Sequence, residues 1–160
     1  MKRGPTTQAG PSPDQRIERE ALRYLTRRDR TEAQVRTYLG RTGAAPVLIR
    51  RLIREFIRRG YLNDRVFAQQ WARSRLERRP MGRERLETEL LAQGLDRAIV
   101  AETAERLYRE RTERELAQRL LAGRRELGTT PGLARVAGLL RRHGFSDETI
   151  EGLLGDSSTL

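Results

Sequence analysis

Apolar residues recur along this chain at helical spacing, and the arrangement itself returns about every fifty residues. Three segments share one pattern: Val35-x3-Leu39-x3-Gly43, Leu86-x3-Leu90-x3-Gly94 and Val136-x3-Leu140-x3-Gly144. An apolar pair precedes each: Ala21 and Leu25, Ala72 and Leu76, Ala117 and Leu121. Another apolar face follows each glycine: Ile49, Leu52, Ile53 and Phe56, then Ile99, Val100 and Leu107, then Ile150, Leu153 and Leu154. The period predicts an all-α chain of three tandem three-helix repeats, elongated, each burying its open face on a neighbour. Such arrays present long surfaces to partners more often than enclosed catalytic pockets.

Local signals divide the chain further. Residues 1–14, with Gly4, Pro5, Gly10, Pro11 and Pro13, read as a flexible leader, and residues 155–160 as a disordered tail. Between them lie repeat 1 (15–60), repeat 2 (61–110) and repeat 3 (111–154). Thr31-Glu32-Ala33-Gln34 has capping-box spacing, and Gly40 and Gly43 suit a left-handed helix end. Pro46 fits the first turn of a helix over 46–59, with Ile49, Leu52, Ile53, Phe56 and Ile57 on its apolar face. Asn63-Asp64, Asp96, Thr130 before Pro131, and Ser146 are the further start signals, and Arg79-Pro80-Met81-Gly82 breaks the chain. Nine helices result, with no convincing period-2 strand.

Charge changes the picture more than composition does. Thirty-three basic residues face 22 acidic ones, a formal charge of +11, so the body attracts polyanions. Nucleic acid is the first partner to consider and an acidic protein surface the second. Lys2 is the only lysine, an arginine bias that GC-rich coding also produces. The chain has no cysteine, which excludes disulfides, thiol catalysis and cysteine metal sites and suits a reducing cytoplasm. No apolar run approaches the roughly 20 residues of a membrane span.

Little catalytic chemistry is visible. Phosphate-loop and dinucleotide glycine motifs are missing, and His143 is the only histidine. It reads as a helix cap or surface residue beside Gly144. The carboxylates are interleaved with arginine (Glu18 by Arg19, Glu84 by Arg83 and Arg85, Glu113 by Arg114) and read as surface ion pairs. No catalytic, cofactor or metal residue is assigned. The arginines cluster. Arg50, Arg54 and Arg58 make a stripe opposite an apolar face, flanked by Arg51 and Arg59. Arg73, Arg75, Arg78, Arg79, Arg83 and Arg85 make a second group, diluted only by Glu77 and Glu84, and Arg124, Arg125, Arg141 and Arg142 a weaker third. Each offers a planar fork to phosphate or carboxylate; the bland alternative is a solvated charged surface. Phe67 and Trp71, one turn apart, read as core, and Tyr24, Tyr38, Tyr61 and Tyr108 as rim-of-core residues rather than base stackers.

Gly60-Tyr61-Leu62-Asn63-Asp64-Arg65-Val66-Phe67-Ala68 resembles the RecX family of bacterial recombinase regulators. Arg73-Ser74-Arg75, Gly82, Arg83 with Leu86, Leu90, Gly94 and Leu95, and Leu139-Leu140-Arg141-Arg142-His143-Gly144-Phe145-Ser146 continue the resemblance over about residues 17–154. Pro80-Met81-Gly82 stands where the family commonly has a Gly-Pro turn, and His143 where it commonly has Arg. The resemblance implies helix-turn-helix-like repeats and a non-enzymatic regulator of recombination, DNA repair and the SOS response. Its implied partner is a RecA-type recombinase filament on single-stranded DNA, with nonspecific duplex contact as a second mode. The implied effect is inhibition of the filament's ATPase and strand exchange, by a monomer acting in the cytoplasm. The arginine clusters would then face DNA or acidic filament patches, while Asp64, Phe67, Ala68, Trp71, Gly94 and Gly144 are structural. Two other readings remain: a stand-alone helix-turn-helix-like DNA-binding protein, and an all-helical interaction scaffold.

Overall fold

The computed structural model describes residues 10–125 and 132–157, and the described residues form helices only. These are α1 (Pro13–Thr26), α2 (Glu32–Arg41), α3 (Pro46–Arg58), α4 (Asp64–Arg78), α5 (Arg83–Ala92), α6 (Arg97–Glu110), α7 (Glu113–Arg125), α8 (Leu133–Arg142) and α9 (Asp147–Ser157). None is long and apolar enough to cross a membrane.

The repeated glycine has one physical cause. Gly43, Gly94 and Gly144 follow α2, α5 and α8 with φ of +77°, +80° and +74°, a region that disfavours residues with a Cβ. The amide after Gly43, that of Ala44, donates back to Leu39 O at 3.4 Å, and the amide of Phe145 donates to Leu140 O at 3.2 Å. These are the long bonds of a Schellman end. Its customary hydrophobic contact is present too: Leu39 with Ala44, Leu90 with Leu95 and Leu140 with Phe145 are all buried. The leucine four residues before the glycine and the apolar residue after it are therefore parts of one helix stop. Gly60 ends α3 in the same manner at φ +75°.

Helix starts follow local chemistry. Thr31 Oγ1 accepts from the Gln34 amide at 3.2 Å, Asp96 from Ala98 at 2.8 Å, and Ser146 Oγ from Thr149 at 3.3 Å. Three boundaries differ from expectation. Helix α1 begins at Pro13, because Ser12 and Gln15 exchange both bonds of a capping box within the expected leader. Helix α8 starts behind Gly132, later than Pro131, which with Thr130 lies outside the described residues. Helix α9 runs on to Ser157, into the segment read as a tail.

The chain divides into two compact units, Met1–Asn63 and Asp64–Leu160. In the first, α1–α3 close over Ala21, Val35, Leu39, Leu52, Ile53 and Phe56. In the second, α4–α9 share one core: Leu86 and Leu90 from the middle segment and Leu140 and Ile150 from the last are all buried in it. Phe67 is buried there and Trp71 packs against it, as a core reading requires.

Candidate functional site

Helix α3 places its cations on the side opposite Leu48, Leu52, Ile53 and Phe56. Arg51 pairs with Asp14 at 3.3 Å, and Arg58 makes two bonds to Glu55, at 2.9 and 2.7 Å. Arg59 shares the same carboxylate, and the two guanidinium groups hold Glu55 at a pKa of about 2, far below the ordinary glutamate value. Arg50 and Arg54 are exposed and pair with no described acidic group. Val47, 68% exposed, and Ile57, 42% exposed, bracket them along the helix. Two free guanidinium forks between two exposed aliphatic residues form the least neutralised stripe of the first unit's candidate arginines.

The second arginine cluster looks different once folded. Arg73 meets Glu110 of α6 at 2.7 and 2.9 Å, Arg83 meets Glu87 at 2.7 Å, and Arg75 and Arg85 share Glu89 at 2.6 and 3.2 Å. Burial pushes the Glu89 carboxyl up, but its two arginine partners outweigh that and hold it below the ordinary range. Arg78 turns back onto Ser74, at 2.9 Å to its hydroxyl. Only Arg79 of the group is exposed with no described partner. The expectation that Glu77 and Glu84 alone dilute this cluster is corrected: folding adds Glu87, Glu89 and Glu110. Arg75 also lies over the Trp71 ring, 5.8 Å from its centroid. In the third group Arg141 pairs with Asp147 at 3.1 Å, Arg142 is exposed, and the side chains of Arg124 and Arg125 lie outside the description.

Glu113 has a role that its interleaved sequence position did not disclose. Its carboxylate accepts from the Arg83 amide at 2.7 Å and the Ser146 amide at 3.1 Å. It also accepts from the Ser146 and Thr149 hydroxyls, at 2.7 and 3.0 Å. Burial raises this carboxyl's pKa, but the donors prevail and it stays below the ordinary range. Beside it, the Gly82 amide donates to His143 O at 2.9 Å, and a Cβ on Gly82 would meet Gly144 O at 1.8 Å. His143 caps α8 and is buried rather than at the surface, its Nδ1 2.9 Å from Leu139 O. Tyr108, at the core's edge, donates to Met81 O at 2.9 Å; burial raises its pKa.

The comparisons follow these units. The model of the first three-helix domain of RecX matches residues 19–56, and that of the second three-helix domain matches residues 63–103. The regulatory protein RecX of Mycobacterium sp. (strain JLS) is 32% identical over 156 residues, covering 88% of this chain and 84% of the relative. The chain belongs to the RecX family. The regulatory protein RecX of Thermobifida fusca (strain YX) is 35% identical over 128 residues, covering 78% of this chain and 69% of the relative. Among solved structures, RecX from Lactobacillus salivarius superposes with a TM-score of 0.79 at 20% identity, covering 92% of this chain and 97% of that one. As a RecX-family member the chain is a regulatory protein of three-helix domains.

Within this RecX-family chain the tyrosines separate. Tyr24 of α1 and Tyr38 of α2 stack at 4.2 Å between centroids, 3° from parallel, and the Arg30 guanidinium sits 4.1 Å from the Tyr24 centroid. Sequence reasoning treated them singly, because residues in different helices carry no mutual spacing. Tyr61 is 52% exposed, with its ring centroid 6.2 Å from that of the buried Phe56.

Proposed function

We propose that this RecX-family chain binds RecA-type recombinase filaments on single-stranded DNA and lowers their ATPase and strand-exchange activity. It does so as a monomeric, non-enzymatic protein of the cytoplasm, within the control of DNA repair. The supporting observation is the outward stripe of α3, where Arg50 and Arg54 stand without described acidic partners. Unneutralised guanidinium forks are suited to phosphates and carboxylates, the two acidic chemistries a nucleoprotein filament displays. Arg58, Arg73, Arg83 and Arg141 contribute by exchanging intramolecular pairs near the surface for filament groups, since such pairs contribute only about 0–1 kcal/mol.

The test is the single-stranded-DNA-dependent ATPase of a recombinase from the same source, titrated with this protein at fixed salt with DNA in excess. Inhibition well below the recombinase concentration is expected, since sequestering DNA does not act substoichiometrically. An unchanged ATPase, alongside salt-sensitive DNA binding by folded protein, would replace this reading with a stand-alone DNA-binding one.

A further inference from the structure

The Tyr24–Tyr38 pair borders a surface cavity of about 250 Å³ lined by Glu20, Arg23, Tyr24, Arg27 and Tyr38. Tyr24 has both faces occupied: Tyr38 lies 4.2 Å away and the Arg30 guanidinium 4.1 Å away, and two groups that close do not fit on one side of a ring. Tyr24 and Tyr38 are half-buried at the rim of the first unit's core; Tyr38 has one face on Tyr24, and no described ring or guanidinium stacks on its other face. Neither phenol hydroxyl has a hydrogen-bond partner among the described residues. Arg23 in the last turn of α1 and Arg27, the C-cap residue just after it, stand four residues apart, exposed, without described acidic partners. Arg30 is held by the ring and not by a carboxylate, and its Nε is buried without a hydrogen bond. Arg23 and Arg27 outnumber the one lining carboxylate, Glu20, and Arg30 adds a third guanidinium behind Tyr24, so the site is cationic.

We infer that this cavity is a nucleotide subsite for single-stranded nucleic acid. An unpaired base extends the Arg30–Tyr24–Tyr38 stack by covering the second face of Tyr38, and Arg23 and Arg27 take the adjoining phosphate. Paired aromatic faces beside cations are the equipment of single-strand binding, where every base has a π-face and phosphates supply the charge. An acidic peptide would use the same arginines but has no need of two parallel rings. The inference rests on the reading that this chain contacts single-stranded DNA, and adds the place and the chemistry of that contact.

The experiment measures binding of the full chain to fluorescein-labelled oligo(dT), and to a matched abasic strand, by anisotropy at fixed salt. Tyr38→Leu, checked for an unchanged melting temperature, should weaken oligo(dT) binding by roughly ten-fold, within the range for one lost stack. It should leave abasic-strand binding unchanged, and Tyr38→Phe should bind as the parent does. Arg23→Ala with Arg27→Ala should weaken both strands and reduce the salt slope by roughly 0.7 per lost phosphate contact. Equal oligo(dT) binding by parent and a folded Tyr38→Leu variant would overturn the subsite while leaving filament regulation standing. A parent chain that inhibits the recombinase ATPase but binds no oligonucleotide would overturn it too, and would assign the arginines to an acidic protein surface. Loss of ATPase inhibition is a separate outcome that sinks the functional reading itself.

Discussion

Glu113 holds the first turns of α5 and α9 at once, through the Arg83 amide and through Ser146 and Thr149. Its carboxyl is depressed below the ordinary glutamate value of 4.5, as is that of Glu89. A depressed carboxylate contributes stability that is fully present above its unfolded pKa and is lost as pH falls through the folded one. The second unit is therefore expected to lose stability on acidification below about pH 4.5. Glu113→Gln should lower stability at pH 7 by about 1–2 kcal/mol, since an amide oxygen replaces a charged acceptor of several donors. It should also flatten the acid limb of a plot of urea midpoint against pH; an unchanged limb would remove Glu113 from the account. None of this was legible from the residue's neighbours in sequence. Arg114 beside it suggested an ion pair, whereas its donors lie about thirty residues away on either side.

At the scale of elements, α3 was largely legible. Pro46, the apolar face and Gly60 bound it, and its arginines lie opposite that face as the 3.6-residue period requires. The period did not say which arginines are free. Arg58 and Arg59 share Glu55, Arg51 reaches Asp14 on α1, and Arg50 and Arg54 have no such neighbour among the described residues. Arg50→Ala with Arg54→Ala is expected to reduce inhibition of the recombinase ATPase about ten-fold with no change in melting temperature. The same double substitution of Arg73 and Arg75 should lower the melting temperature by a few degrees, because it leaves Glu89 and Glu110 without those partners. Titrating both variants in the ATPase assay separates the two clusters. Equal, undiminished inhibition by the α3 variant would move the contact elsewhere.

For the whole molecule, two cores with no residue in common organise the chain. Within the second unit the close approach of Gly82 to Gly144 joins the start of α5 to the end of α8. Gly82→Ala puts a methyl group where a backbone oxygen already stands, and is expected to destabilise that unit by about 3 kcal/mol. Hydrogen exchange should show faster exchange at Leu86, Leu90 and Phe145, with protection of Val35 and Leu39 retained. Uniform loss across both units would contradict two separately organised cores. By itself the sequence determined what is local. The helical period, most caps, and the glycine that ends each repeated segment follow from interactions spanning a few residues, whose spacing the chain displays. Tertiary structure decided which cations are neutralised, that Glu113 supports two other helices, that Gly82 rests on Gly144, and that Tyr24 stacks on Tyr38. Those partners come from different helices, and no spacing along the chain specifies which side chains packing brings together.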